Sequence, residues 1–213
     1  MAIMTLTPPF DVTAAFSMQL PAFLAAPLGA TEQYVGATPA VPTMTDLGAN
    51  PAALLHDAQQ VYLLGLAAVA NNAGAGAASP AGWRIFAGTV QGYTVMGRVS
   101  FGPRPAGWRL TAAYYGDRVW QALQASDTLG NLPQVANANY ELRVLTVPGL
   151  SLEAFWLVDQ SSAGNDLVVP FPAAPNQPID ALNQAPVYSM PNFLAAIRPL
   201  AQLRAVAQAD YGG

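Results

Sequence analysis

A chain of 213 residues with 8 Lys and Arg, 12 Asp and Glu, one His and no Cys carries a formal net charge of -4. That acidic balance argues against a nucleic-acid binder, which needs clustered Lys and Arg to displace counterions, and the absence of Cys removes disulfide staples, thiolate nucleophiles and thiolate metal sites. Charged residues make up 9% of the chain and hydrophobic ones 53%, whereas soluble domains usually carry roughly 25% charged residues.

With so few ionised groups, much of the exterior has to be Ala, Gly, Pro, Gln, Asn, Ser and Thr, which gives copies little electrostatic reason to stay apart. Contact with the protein itself or with another protein subunit is therefore expected to cover much of the outside. The length suits a single domain, which at this size buries about 70% of the surface its unfolded chain exposes.

Residues 1–49 read as a Pro-rich N-terminal arm, since Pro8, Pro9, Pro21, Pro27, Pro39 and Pro42 each remove a backbone donor and restrict the residue before them. Only a short helix from Val12 to Leu20 interrupts it. The apolar stretch that follows Phe10 has no basic lead and is broken by Pro21 and Pro27, so it does not read as a secretory signal.

The core is expected over residues 50–169. Asn50 as N-cap and Pro51 at the first helical position predict a helix to about Val69, with Leu54, Leu55, Ala58, Val61, Tyr62, Gly65 and Leu66 on one face. His56, Asp57, Gln59 and Gln60 interrupt it too often for a membrane span. From Trp83 the period changes to two. Strands are expected over Trp83 to Val90, Tyr93 to Phe101 and Trp108 to Tyr115, followed by a helix from Asp117 to Ser126.

A second hairpin is expected from Tyr140 to Val147 and Leu150 to Val158, with both arms apolar enough to be covered on two faces. Pro148-Gly149 suits a two-residue hairpin poorly, which favours a longer loop. Asp166 to Val169 adds an edge strand. Residues 170–213 form a second Pro-rich segment and a C-terminal helix after Pro191, carrying Phe193, Leu194, Ile197, Leu200, Leu203 and Val206. The class is thus α+β, an antiparallel sheet of five or six strands with two or three helices and Pro-rich arms. One pentapeptide, Pro-Ala-Gly-Trp-Arg, occurs at 80–84 and again at 105–109. Two copies are too few for a solenoid, so they read as two similar strand entries.

Catalytic patterns are scarce. His56 is the only His, adjacent helical positions do not face each other, and no Gly-x-Ser-x-Gly turn accompanies it. Asp159, Asn165 and Asp166 lack the spacing of a calcium loop and read as a polar turn. The Gly/Ala run at 73–77 follows a helix and precedes a strand, the reverse of a phosphate cradle. No metal or cofactor is expected. Glu153, inside an apolar strand, reads as a carboxylate paired with Arg84, Arg98 or Arg109.

Aromatic residues are the candidate binding groups: Trp83, Trp108, Tyr114, Tyr115, Trp120 and Trp156 fall in or beside the strands, where exposed rings would anchor a ligand or protein and enclosed ones would be core. Three functions follow. The first is a non-catalytic structural or interaction protein, a self-associating subunit of a larger assembly, in the cytoplasm or an assembled particle. The second is a module binding a small ligand or carbohydrate through the aromatic residues. The third is a hydrolase using Glu153 or Asp159.

Overall fold

The computed structural model describes residues 3–25, 55–88, 94–103, 106–115, 117–135, 138–162, 164–171, 182 and 186–211. They form a mixed α+β fold with nine strands, mostly antiparallel, and four α-helices. The expected class holds, but nine strands replace the expected five or six. The chain divides into two compact units, one of residues 1–4, 61–80 and 130–213, the other of residues 5–60 and 81–129.

The second of these units contains α1 (Phe10–Ala25), most of β2 (Leu55–Leu63), β3 (Ser79–Gly88), β4 (Thr94–Pro103), β5 (Ala106–Tyr115) and α3 (Asp117–Thr128). Strands β3, β4 and β5 form an antiparallel meander, with Trp83 opposite Val99 and Phe101 opposite Trp108. Side chains alternate between faces along each strand. Trp83, Ile85, Ala87, Val95, Val99, Leu110 and Ala113 join Val12, Ala15, Phe16 and Leu20 of α1 in one cluster. The close fit has a sequence cause at Gly97, where a Cβ would stand 2.5 Å from Phe16 Cε2 and 2.8 Å from Leu110 Cδ1. The alternate residues Arg84, Phe86, Met96, Ala112 and Tyr114 are buried as well, and α3 packs on β4 and β5. Between Arg98 and Val99 the register slips, leaving Thr111 as the extra residue of a bulge; its hydroxyl donates to the Arg98 carbonyl at 3.1 Å.

The other unit contains β1 (Ile3–Thr5) along most of its length, α2 (Leu66–Ala70), β6 (Tyr140–Val147), β7 (Leu152–Asp159), β8 (Leu167–Phe171), β9 (Tyr188–Ser189) and α4 (Met190–Tyr211). Strand order is β6-β7-β8-β9, with β1 on β6. The β6–β7 arms are buried on both faces, as their continuous apolar character requires. Their connection runs over four residues, with Val147 opposite Leu152, a 3-10 turn at Pro148–Leu150 and Ser151 in the left-handed region at φ 52°. One core cluster unites Leu145, Val147, Leu152, Ala154 and Trp156 with Phe193, Leu194, Ile197 and Ala201 of α4. Just beyond the Asn71 C-cap of α2 stands Asn72, φ 60°, whose side chain accepts a hydrogen bond from Arg198 of α4.

Two expectations are corrected. Residues 55–63 form a strand, not the middle of a helix from Asn50 to Val69, and of that span's described residues only Leu66–Val69 are helical, in α2; residues 50–54 lie outside the described residues. The apolar spacing fitted a helix, but as a strand the segment delivers Gln59, fully buried, to Arg84 on β3. A buried cation needs such an acceptor, and tertiary demand of this kind overrides a weak local preference. The N-terminal arm is also more regular than its prolines suggest: α1 runs from Phe10 to Ala25 and contains Pro21, while residues 26–49 lie outside the description. The hairpin turn at Gln91-Gly92 is also outside it, although the β3–β4 pairing it was expected to close is present.

Candidate functional site

Three of the predicted aromatic residues are enclosed rather than exposed. Trp83 and Tyr114 are buried on β3 and β5, at 5% and 7% exposure, and Trp156 on β7 at 6%. Trp83 belongs to the α1 cluster and Trp156 to the α4 cluster, in different units. Trp108 is half-buried against the α1 cluster and meets Phe101 edge-on at 5.6 Å. Trp120, on the outer side of α3, is 50% exposed. Tyr115 ends β5 opposite Val95, and its side chain lies outside the described residues.

The densest polar chemistry in the α1 unit is a relay that sequence reading missed. Arg84 Nε and Nη2 both donate to Gln59 Oε1, at 3.0 and 2.6 Å. Gln59 Nε2 in turn donates to Asp57 Oδ2 at 2.6 Å, and the Ala58 N–H donates to Asp57 Oδ1 at 2.8 Å. The Arg84 guanidinium also lies 5.4 Å from the centre of the Phe86 ring. Burial pushes its pKa down to about 9, with Arg98 directly opposite adding repulsion and Asp57 opposing the shift. It remains a cation at neutral pH. Burial likewise pushes the Asp57 carboxyl up, against the hydrogen bonds from Gln59 and Ala58 and the charge of Arg84. Such an arrangement holds a buried charge in place. The signal in the sequence was the alternation Asp57, Gln59, Val61, which puts all three on one face of a strand.

In the α4 unit, Arg143 lies over two rings, 4.6 Å from the centre of Tyr62 and 5.1 Å from that of Trp156, and its Nε meets Glu141 Oε1 at 2.5 Å. Trp156 donates its indole N–H to Asp166 Oδ2 at 2.8 Å, and Asp166 Oδ1 accepts from the Asp159 N–H at 3.2 Å. Asp159 Oδ1 accepts from both the hydroxyl and the N–H of Ser161, at 2.6 and 2.8 Å. Asp159 and Asp166 therefore close the turn between β7 and β8. Among the described residues no group of three or more His, Asp or Glu is placed to hold a metal ion. Glu153 pairs across the hairpin with Thr146 and across β8 with Phe171, on the face of Leu142, Val144 and Phe155.

The Ser161 bonds hold the Asp159 carboxyl below its ordinary range, since both favour the ionised form. A folded-state pKa below the unfolded one gives stability that is present above the ordinary value of 3.8 and is lost as pH falls through the lower folded value. Asp159→Asn is expected to flatten the acid limb of the stability curve below that range, as measured by urea unfolding at a series of pH values. The same acid limb in wild type and variant would reject the assignment.

Large apolar side chains are nevertheless well exposed: Phe10 at 82% and Met18 at 79% on α1, Phe101 at 58% on β4, and Leu203 at 70% and Val206 at 62% on α4. Sequence reading had placed Phe101 in a strand and Leu203 and Val206 on the buried stripe of a helix. Among the described residues no helix is long and apolar enough to cross a membrane. Neither a protein-family model, nor a curated protein, nor a solved structure matches the chain.

Proposed function

We propose that this protein is a non-catalytic structural or interaction protein, a self-associating subunit of a larger protein assembly. One observation carries the reading: a chain with only 9% charged residues also exposes Phe10, Met18, Phe101, Trp120, Leu203 and Val206. Single exposed apolar residues are ordinary. Six large ones, on α1, α3, α4 and β4, with so little charge to keep copies apart, favour protein contact. The polar clusters support the same reading, because the Arg84 and Asp159 networks are engaged internally. Light scattering of the purified chain across micromolar concentrations is expected to give a mass that exceeds one copy and rises with concentration. A constant single-copy mass would reject the proposal.

A further inference from the structure

We infer that the outer face of α1 is a homotypic docking surface, on which two copies pack antiparallel with Ala14 at the two-fold axis and Phe10 of one against Met18 of the other. This inference rests on the self-association reading and names the contact through which it begins.

Helix α1 is apolar on two sides. Val12, Ala15, Phe16 and Leu20 face the sheet and are buried, which accounts for the usual single stripe of a surface helix. Phe10, Ala14 and Met18 follow one another at four-residue steps on the opposite side, the spacing at which side chains stack along one face. A helix apolar around most of its girth belongs in an interior, and the described residues leave Phe10 and Met18 exposed and Ala14 partly so.

The chemistry of that stripe selects its occupant. Asp11 is the only charged residue among the sixteen of α1, so the face has no field with which to choose a partner of opposite charge. A two-fold contact instead requires that residue i meet residue j and j meet i. The order large, small, large satisfies this about Ala14: the small centre lets two helices approach closely, and each end presents a thioether to an aromatic ring, a favourable contact.

Area sets the strength. With roughly 200 Å² for a large apolar side chain, the 82% and 79% exposures of Phe10 and Met18, with Leu6 at 37%, offer about 400 Å² per copy. Roughly 800 Å² in total lies below the 1,200 Å² or so of a stable specific interface. This contact is therefore a reversible dimer contact, and a larger assembly needs further faces.

The full chain contains no Cys, so a single introduced thiol reports its own neighbourhood. Under mild oxidation Ala14→Cys should form a disulfide-linked dimer much faster than Asn131→Cys, an exposed control on the other unit. Phe10→Glu/Met18→Glu should weaken dimerisation at least about tenfold by sedimentation equilibrium. Its melting temperature should stay unchanged, because both side chains are exposed in the protomer. Equal cross-linking at 14 and 131, or undiminished association of the double variant, overturns this contact while leaving self-association standing. A wild-type chain that stays single at every concentration overturns both. Wild-type chain that is monomeric but co-sediments with neutral phosphatidylcholine vesicles, and is released by the double substitution, overturns the homotypic contact in favour of a lipid surface.

Discussion

Gln59→Leu is expected to destabilise the protein by roughly 2–3 kcal/mol, the usual cost of taking a hydrogen-bond acceptor from a buried, charged donor. The substitution keeps an apolar side chain of similar volume at the position but removes the oxygen that accepts both Arg84 donors, at 3.0 and 2.6 Å, and the amide that reaches Asp57. Arg84 is 2% exposed, so little solvent is at hand to soften the loss. The double variant Gln59→Leu/Arg84→Met should recover most of the stability, because an apolar pair of similar volume needs no hydrogen bonds. Chemical denaturation of the two singles and the double closes a mutant cycle. A single-site cost under about 1 kcal/mol, the scale of an ordinary solvent-shared hydrogen bond, would show that water or another group serves Arg84.

Gly82→Ala and Gly107→Ala are expected to separate two costs that usually arrive together. The two glycines occupy the same place in the repeated Pro-Ala-Gly-Trp-Arg segment, and their φ angles are 154° and 153°. Either substitution forces an L side chain into a conformation that glycine alone adopts readily, at about 1–3 kcal/mol. At Gly107 nothing lies within 4 Å of the new Cβ, whereas at Gly82 it would stand 2.3 Å from the Val99 carbonyl oxygen, a backbone atom of the paired strand. That clash adds roughly 1–3 kcal/mol of overpacking. Gly82→Ala should therefore lower the melting temperature clearly further than Gly107→Ala. Equal shifts would mean that β4 yields at Val99 and that φ alone sets the cost.

The repeat also shows how much of this fold could be read from residues. Two like entries were expected to begin two strands, and they open β3 and β5 on either side of β4. The β6–β7 hairpin and helix α3 were legible for the same reason: period and turn chemistry agreed locally, and no distant partner had to decide. Residues 55–63 were not. Their apolar spacing satisfied a helix, whereas the partners that suit a strand are distant in sequence, among them Arg84, 25 positions away, which finds its acceptor in Gln59. Helix α1 outran its expected end because Pro21 is accommodated within it. The number of strands was underestimated because residues 55–63 read as helix and because β1 and β9 have three and two residues, too short for any period to emerge.

Functional legibility followed a similar division. The shortage of charge was plain in composition, but of the six aromatic residues offered as binding groups Trp83, Tyr114 and Trp156 are buried, at 5%, 7% and 6% exposure. Phe10 and Met18 carried no mark of exposure in the sequence, since apolar residues on a helix read as core until the opposite face proves to be the buried one.

The central claim is that apolar contact, not charge, brings copies of this chain together. Sedimentation velocity at low and high sodium chloride tests it most directly. The account predicts oligomers whose population is maintained or increased as salt screens the few charges. Single copies at every concentration, or oligomers that dissolve as salt rises, would contradict it.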